Sequence, residues 1–265
     1  MTQNERLNIL VERFKEDSRE YRNLQVGEDT EEKRTVLRSL MNIRMPRPLD
    51  ADTLRIQDEY LQEAALGRGI VALEDIPALD GALSLWQGDI TRLAADAIVN
   101  AANSQMLGCF RPMHSCIDNC IHTYAGIQLR AECARQMAAL REKYGPDYEQ
   151  PTAVPMLTDA YNLPAKKIIH IVGPIVEGRL TPALEKDLAD CYRNTLALCA
   201  ENGLKSVAFC CISTGVFRFP PDRAARIAVK TVRDWLAAHE GRMERVIFNV
   251  FNDRDRALYE KELTT

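Results

Sequence analysis

Apolar residues follow a helical period in the first quarter of the chain and gather into short runs after it. Leu7, Leu10, Val11 and Phe14 share one helix face at i, i+3, i+4, i+7 spacing, and Val36, Leu37, Leu40 and Met41 repeat the pattern. Met45-Pro46-Arg47-Pro48 interrupts it, because proline lacks an amide donor and fixes φ. Asp50 can cap a further helix carrying Leu54, Ile56, Tyr60 and Leu61. The pattern predicts a helical N-terminal extension over residues 1–69. Its apolar faces should dock on the rest of the chain, since short isolated helices are marginal in water.

From about residue 70 the texture changes. Leu83–Trp86, Ala97–Val99, Ile168–Val172, Val207–Ile212 and Val246–Phe251 read as strands; Pro182–Cys199, Asp222–Leu236 and Arg254–Leu263 read as helices. Strands apolar on both faces, alternating with helices, predict a buried, largely parallel sheet in an α/β domain over 70–265. Lys143–Gln150 reads as its exposed loop.

Composition narrows the function. A net charge of −4 over 265 residues argues against sequence-independent nucleic-acid binding, which needs clustered Lys and Arg. No apolar run is long enough to span a bilayer, and the polar start Met1–Arg6 lacks a signal-peptide core. These features predict a cytoplasmic protein with neither membrane nor nucleic acid as partner. Its eight cysteines should then be reduced thiols, with Cys191, Cys199, Cys210 and Cys211 as small core residues.

The chemistry concentrates in residues 98–122, where Asn100 and Asn103 end an apolar run and Cys109, His114, Cys116 and Asp118 follow. Two thiols and an imidazole in a turn-rich segment can close on one soft metal ion, for which zinc is the best fit. Three ligands leave a fourth position open, as catalytic sites do. The spacing matches no standard zinc finger, so buried thiols beside a solvent histidine are the alternative. Cys120 shares a helical face with Ile117, Ile121 and Tyr124 and reads as core, and His122 reads as structural.

Three other segments suit a nucleotide-like ligand, though each is equally an ordinary turn. In Gly88-Asp89-Ile90-Thr91 a carboxylate at a strand end can accept from an exocyclic amine. In Asn100-Ala-Ala-Asn103 two carboxamides can serve sugar hydroxyls. Ser213–Phe217 follows an apolar strand and can offer N–H groups and hydroxyls to a diphosphate.

Taken in order, Gly88–Thr91, Asn100–Asn103, Ile117–His122 and Ile212–Phe217 resemble the ADP-ribose loops of the macrodomain family. The resemblance implies a three-layer α/β/α sandwich around a central mixed sheet. It implies Asp89 and Ile90 in the adenine loop and Asn103 at the distal ribose. It also implies Ser213, Thr214, Gly215 and Val216 around the diphosphate, Phe217 against the distal ribose, and Phe251 stacked on adenine. One departure is informative. MacroD-like hydrolases carry a run of glycines before the catalytic-loop aspartate, where this chain has Gly108–Asp118 with Cys109, His114 and Cys116.

That departure is similar to the zinc-containing subgroup, whose members carry an N-terminal helical extension and are often linked to a sirtuin-type ADP-ribosyltransferase. It implies a Zn2+-dependent protein-ADP-ribose hydrolase that removes mono-ADP-ribose from modified Asp or Glu side chains. Cys109, His114 and Cys116 would hold the metal, and Asn103 and Asp118 would complete the catalytic group. Zinc would stabilise an oxyanion or activate a water, and Asp118 would act as base or orient the ribose. The alternative is a reader that binds ADP-ribose without turning it over.

Overall fold

Short polar side chains start the N-terminal helices. Thr2 caps α1 (Gln3–Asp17) in a reciprocal box with Glu5, Asp29 caps α2 (Thr30–Ile43), and Asp50 caps α3 (Ala51–Arg68). The structure is a computed structural model that describes residues 1–264. Leu7, Leu10, Phe14, Leu37, Leu40, Ile56 and Leu61 bury together in one cluster. The three helices therefore turn their apolar faces on each other, not on the sheet domain, because together they supply enough apolar surface for a core of their own. Ile127 also packs on this cluster.

Docking instead runs through a polar seam. Gln57 Nε2 donates to Gln128 Oε1 at 2.7 Å, Gln62 Nε2 to Asn162 Oδ1 at 3.0 Å, and Arg130 Nη1 to the Arg44 carbonyl at 2.6 Å. These groups are partly or wholly removed from water, so each needs its partner.

The sheet comprises β1 (Leu83–Gln87), β2 (Ala97–Ala102), β3 (Met156–Asp159), β4 (Lys167–Val172), β5 (Ser206–Phe209) and β6 (Arg245–Val250), in the order β1-β6-β5-β2-β4-β3. All pairs are parallel except β3 with β4, which makes the sheet mixed. The helices are α4 (Ile117–Ala125), α5 (Ile127–Tyr144), α6 (Pro182–Glu201), α7 (Pro221–Ala238) and α8 (Asp253–Leu263). From β2 the chain moves one way through α4, α5 and the edge strand β3 to β4, then the other way to β5 through α6. Right-handed crossovers in opposite directions put these helices on opposite faces. Ile98, Val99, Ile168, Ile169, Val207 and Val246 are completely buried between the layers.

Several boundaries moved. β3 escaped the apolar-run criterion because it is a four-residue edge strand with Thr158 and Asp159 in it. β2 runs on through Asn100, and β5 stops at Phe209. α5 reaches Tyr144, and the loop after it is tied down where Glu149 accepts from Ser104 and Gln105. All eight cysteines are free thiols, with Cys191, Cys199 and Cys210 buried in the core and Cys211 half-buried. Among the described residues no helix is long and apolar enough to cross a membrane.

Candidate active site

β2 delivers the first functional side chain inside the sheet. Asn100 is fully buried and pairs in register with His170 on β4, so it is not the loop residue its sequence position suggested, free to meet a sugar hydroxyl. Its Nδ2 donates to Asp118 Oδ1 at 2.8 Å and lies 3.0 Å from His170 Nδ1. Asn103, just beyond the strand, donates from Nδ2 to Asp118 Oδ2 at 3.3 Å and to the Gly108 carbonyl at 3.2 Å. Two carboxamides thus grip one carboxylate. Burial pushes the Asp118 carboxyl up to about 6, against the Asn100 hydrogen bond and the Arg130 charge, which pull it down.

Asp118 sits in the first turn of α4, a helix with buried polar residues Asp118, Asn119, His122 and Thr123. It is wedged between β2 and the N-terminal helices, so Asp118, Asn119 and Thr123 find hydrogen-bond partners in the protein rather than in water, while both ring nitrogens of buried His122 have none among the described residues. Cys116 is its N-cap, and the Cys116 sulfur accepts from the Asn119 amide at 3.4 Å. Gly108 opens the preceding loop at φ +78°, and a Cβ there would come within 2.7 Å of the His122 ring. Glycine is required at that position for both reasons.

The loop brings its three soft donors together. Cys109 Sγ lies 3.6 Å from His114 Nδ1, and these two atoms and the Cys116 sulfur all lie within 4.8 Å of one another. All three residues are half-buried, so a ligand can reach them. Burial pushes the Cys116 thiol up to about 12, and a bound cation is what turns such a thiol into a thiolate. Two sulfurs and one imidazole nitrogen at this separation fit zinc.

The other loops occupy the C-terminal ends of neighbouring strands. After β1, Asp89 Oδ1 accepts from the Thr91 amide and hydroxyl, while Oδ2 accepts from Arg68 Nη1 at 3.2 Å. Ile90 sends its side chain into the core at 1% exposure, leaving only its backbone for a ligand. After β6, Phe251 is 76% exposed. The Gly88 amide donates to the Val250 carbonyl at 2.9 Å, which holds the Asp89 and Phe251 turns side by side. After β5, Ser213 has φ +65°, and its buried Oγ has no partner among the described residues. Thr214 and Phe217 are half-buried; Gly215 and Val216 are exposed, and a Cβ on Gly215 would meet nothing.

A profile of the Macro domain matches residues 99–228. A relative from Treponema medium named "Protein-ADP-ribose hydrolase" is 49% identical over 265 residues, covering 98% of this chain and 99% of its own. This chain belongs to the macro domain family. A Staphylococcus aureus relative of the same name is 44% identical over 227 residues, covering 84% of this chain and 82% of its own. The Trypanosoma brucei macrodomain in complex with ADP-ribose superposes with a TM-score of 0.64 at 30% identity, covering 84% of this chain and 94% of that one. In this macrodomain the likeness to the Treponema protein includes the N-terminal helices.

The same macrodomain holds a second convergence, His122, Cys133 and His170, wholly buried, with ligand atoms within 4.8 Å of one another. It makes a poor metal site. The Asp118 carboxylate can only accept, so Asn100 turns Nδ2 toward it, and His170 Nδ1 must accept from that same group. His170 Nε2 then keeps its hydrogen and donates to Thr158 Oγ1 at 3.1 Å. A protonated ring nitrogen has no lone pair for a metal. Burial holds His170 neutral, down to about 3. His170, Asn119, Arg38 and Asn42 carry the site's hydrogen bonds yet escaped notice in the sequence. An asparagine inside an apolar strand was the one available signal.

Proposed function

We propose that this chain is a zinc-dependent protein-ADP-ribose hydrolase that removes mono-ADP-ribose from acyl-linked Asp or Glu side chains. What carries this reading is the juxtaposition of Cys109, His114 and Cys116 with the Asp118 carboxylate at the end of β2. The names of the Treponema and Staphylococcus relatives point the same way. Strand order supports the ligand's direction. Asp89 and Phe251 at β1 and β6 take adenine, Ser213–Phe217 at β5 takes the diphosphate, and Asn103 at β2 takes the distal ribose. Three strand spacings separate the two ends, about 14 Å. The unpartnered Ser213 hydroxyl and the open space at Gly215 suit a diphosphate approaching the backbone.

Cys109, His114 and Cys116 would hold the zinc, which would supply a Lewis acid for negative charge on oxygen. Asp118, held by Asn100 and Asn103, receives the proton of the attacking water and orients the distal ribose. The products are ADP-ribose and the free side-chain carboxylate. A reader needs neither the three soft donors nor the buried carboxylate.

The test is a time course on Asp/Glu-ADP-ribosylated protein with zinc-loaded and chelator-stripped enzyme. Release of ADP-ribose that stops on stripping and returns with added zinc is expected. Equal release by both would remove the metal from the reaction, and tight binding without release would make the chain a reader.

A further inference from the structure

The loop that carries the three soft donors is held from outside its own domain. Arg38 on α2 donates from Nη2 to the His114 carbonyl at 2.9 Å and to Asn119 Oδ1 at 2.9 Å. One turn further along α2, Asn42 accepts from the Met113 amide at 3.1 Å and donates to Thr123 Oγ1 at 2.9 Å. Met113 has φ +56°, a left-handed conformation that a non-glycine residue keeps only where its surroundings impose it.

Asn119 passes the hold onward. Its Nδ2 donates to the Cys109 carbonyl at 3.3 Å and the Arg111 carbonyl at 2.9 Å, and its backbone amide reaches the Cys116 sulfur at 3.4 Å. Cys109 and Cys116 are thereby anchored through Asn119, and Asn119 is anchored by Arg38. His114 is anchored by Arg38 directly, and its neighbour Met113 by Asn42.

We propose that Arg38 and Asn42 are positioning residues for the metal, so that the N-terminal helical unit forms the back wall of the zinc site rather than a separate appendage. The proposal rests on the zinc reading above. A loop of this length with three donors is floppy by itself, and ordering it on binding would cost conformational entropy. With α2 in place the loop is ordered before the ion arrives. Partners that orient metal ligands in this way are commonly worth 10- to 100-fold in affinity.

The experiment measures zinc affinity by competition with a chromophoric chelator, using full-length Arg38→Met, Arg38→Lys, Asn42→Ala, Gln62→Ala and Cys116→Ala. Gln62 bonds Asn162 across the same seam but away from the loop, so its variant removes one seam hydrogen bond while the helices stay docked and the loop contacts of Arg38 and Asn42 stay intact. Arg38→Met and Asn42→Ala should each weaken zinc binding by about 10- to 100-fold. Arg38→Lys should recover part of the loss, and Gln62→Ala should bind as the wild type does. The proposal is overturned if Arg38→Met and Asn42→Ala bind zinc normally while Cys116→Ala does not, or if Gln62→Ala weakens it equally. Should one Arg38 variant not fold, Asn42→Ala decides alone. Wild-type zinc affinity in Cys116→Ala would instead mean that the metal reading itself is wrong.

Discussion

At the β1/β6 end of the cleft Phe251 is 76% exposed and Asp89 divides its carboxylate between Thr91 and Arg68. At the β2 end Asn100 is fully buried, Asp118 is 5% exposed, and both Asp118 oxygens are held by carboxamides, from Asn100 and Asn103. The first end offers a ligand an exposed ring that makes no polar contact, beside a carboxylate held by its own loop and by Arg68. The second is a network in which removing one member leaves its partner unsatisfied inside the protein. Recognition and chemistry should therefore come apart under mutation.

The sharpest break comes from Cys116→Ala. Hydrolysis of acyl-linked ADP-ribose should fall by about 10³-fold with the zinc, as when a group that stabilises developing charge is lost. ADP-ribose affinity, measured by calorimetry, should be nearly unchanged, because the other end of the cleft is intact. Joint loss of both would erase the distinction between the two ends.

The opposite pattern is expected of Gly215→Glu. Bulk and a like charge at the diphosphate should weaken ADP-ribose by at least about 100-fold, while zinc content and circular dichroism stay as in the wild type. Normal binding by this variant would take the Ser213–Phe217 loop out of the site.

Phe251→Ala should cost about 10-fold in ADP-ribose affinity, the value of a base stacked on one aromatic ring. Its kcat at saturating substrate should not move. A drop in kcat with unchanged affinity would put Phe251 outside the adenine end.

The smallest effect is expected from Gly215→Ala. A Cβ there meets nothing, so thermal unfolding should shift by no more than about 0.5 kcal/mol in stability. A large loss would mean that the glycine serves the fold and not the ligand.

Much of this contrast was legible in the chain. Helical spacing exposed Leu7, Leu10 and Phe14, and apolar runs exposed β2, β4, β5 and β6, because burial writes a period into sequence. Cys109, His114 and Cys116 stood out through their side-chain chemistry. The seam did not. Arg38 and Asn42 sit on a helix whose period marks only Val36, Leu37, Leu40 and Met41, and a hydrogen bond to a residue over 70 positions away leaves no local pattern. Asn100 was misread for the same reason in reverse. Its polarity suggested a strand end, while its burial depends on Asp118 and His170, which only the fold brings to it.

The polar seam between the two apolar clusters has a thermodynamic corollary. If docking of α2 tightens the grip on zinc, then zinc must tighten the docking of α2 by the same factor, since coupling between two equilibria is reciprocal. The apolar side chains of the three N-terminal helices gather in a cluster apart from that of the sheet, so the metal would bear on their attachment rather than on their core. The ion would then act at two scales, as a reagent in the cleft and as a rivet between two bodies of one chain. Its withdrawal would be felt along α2, well outside the loop that holds it.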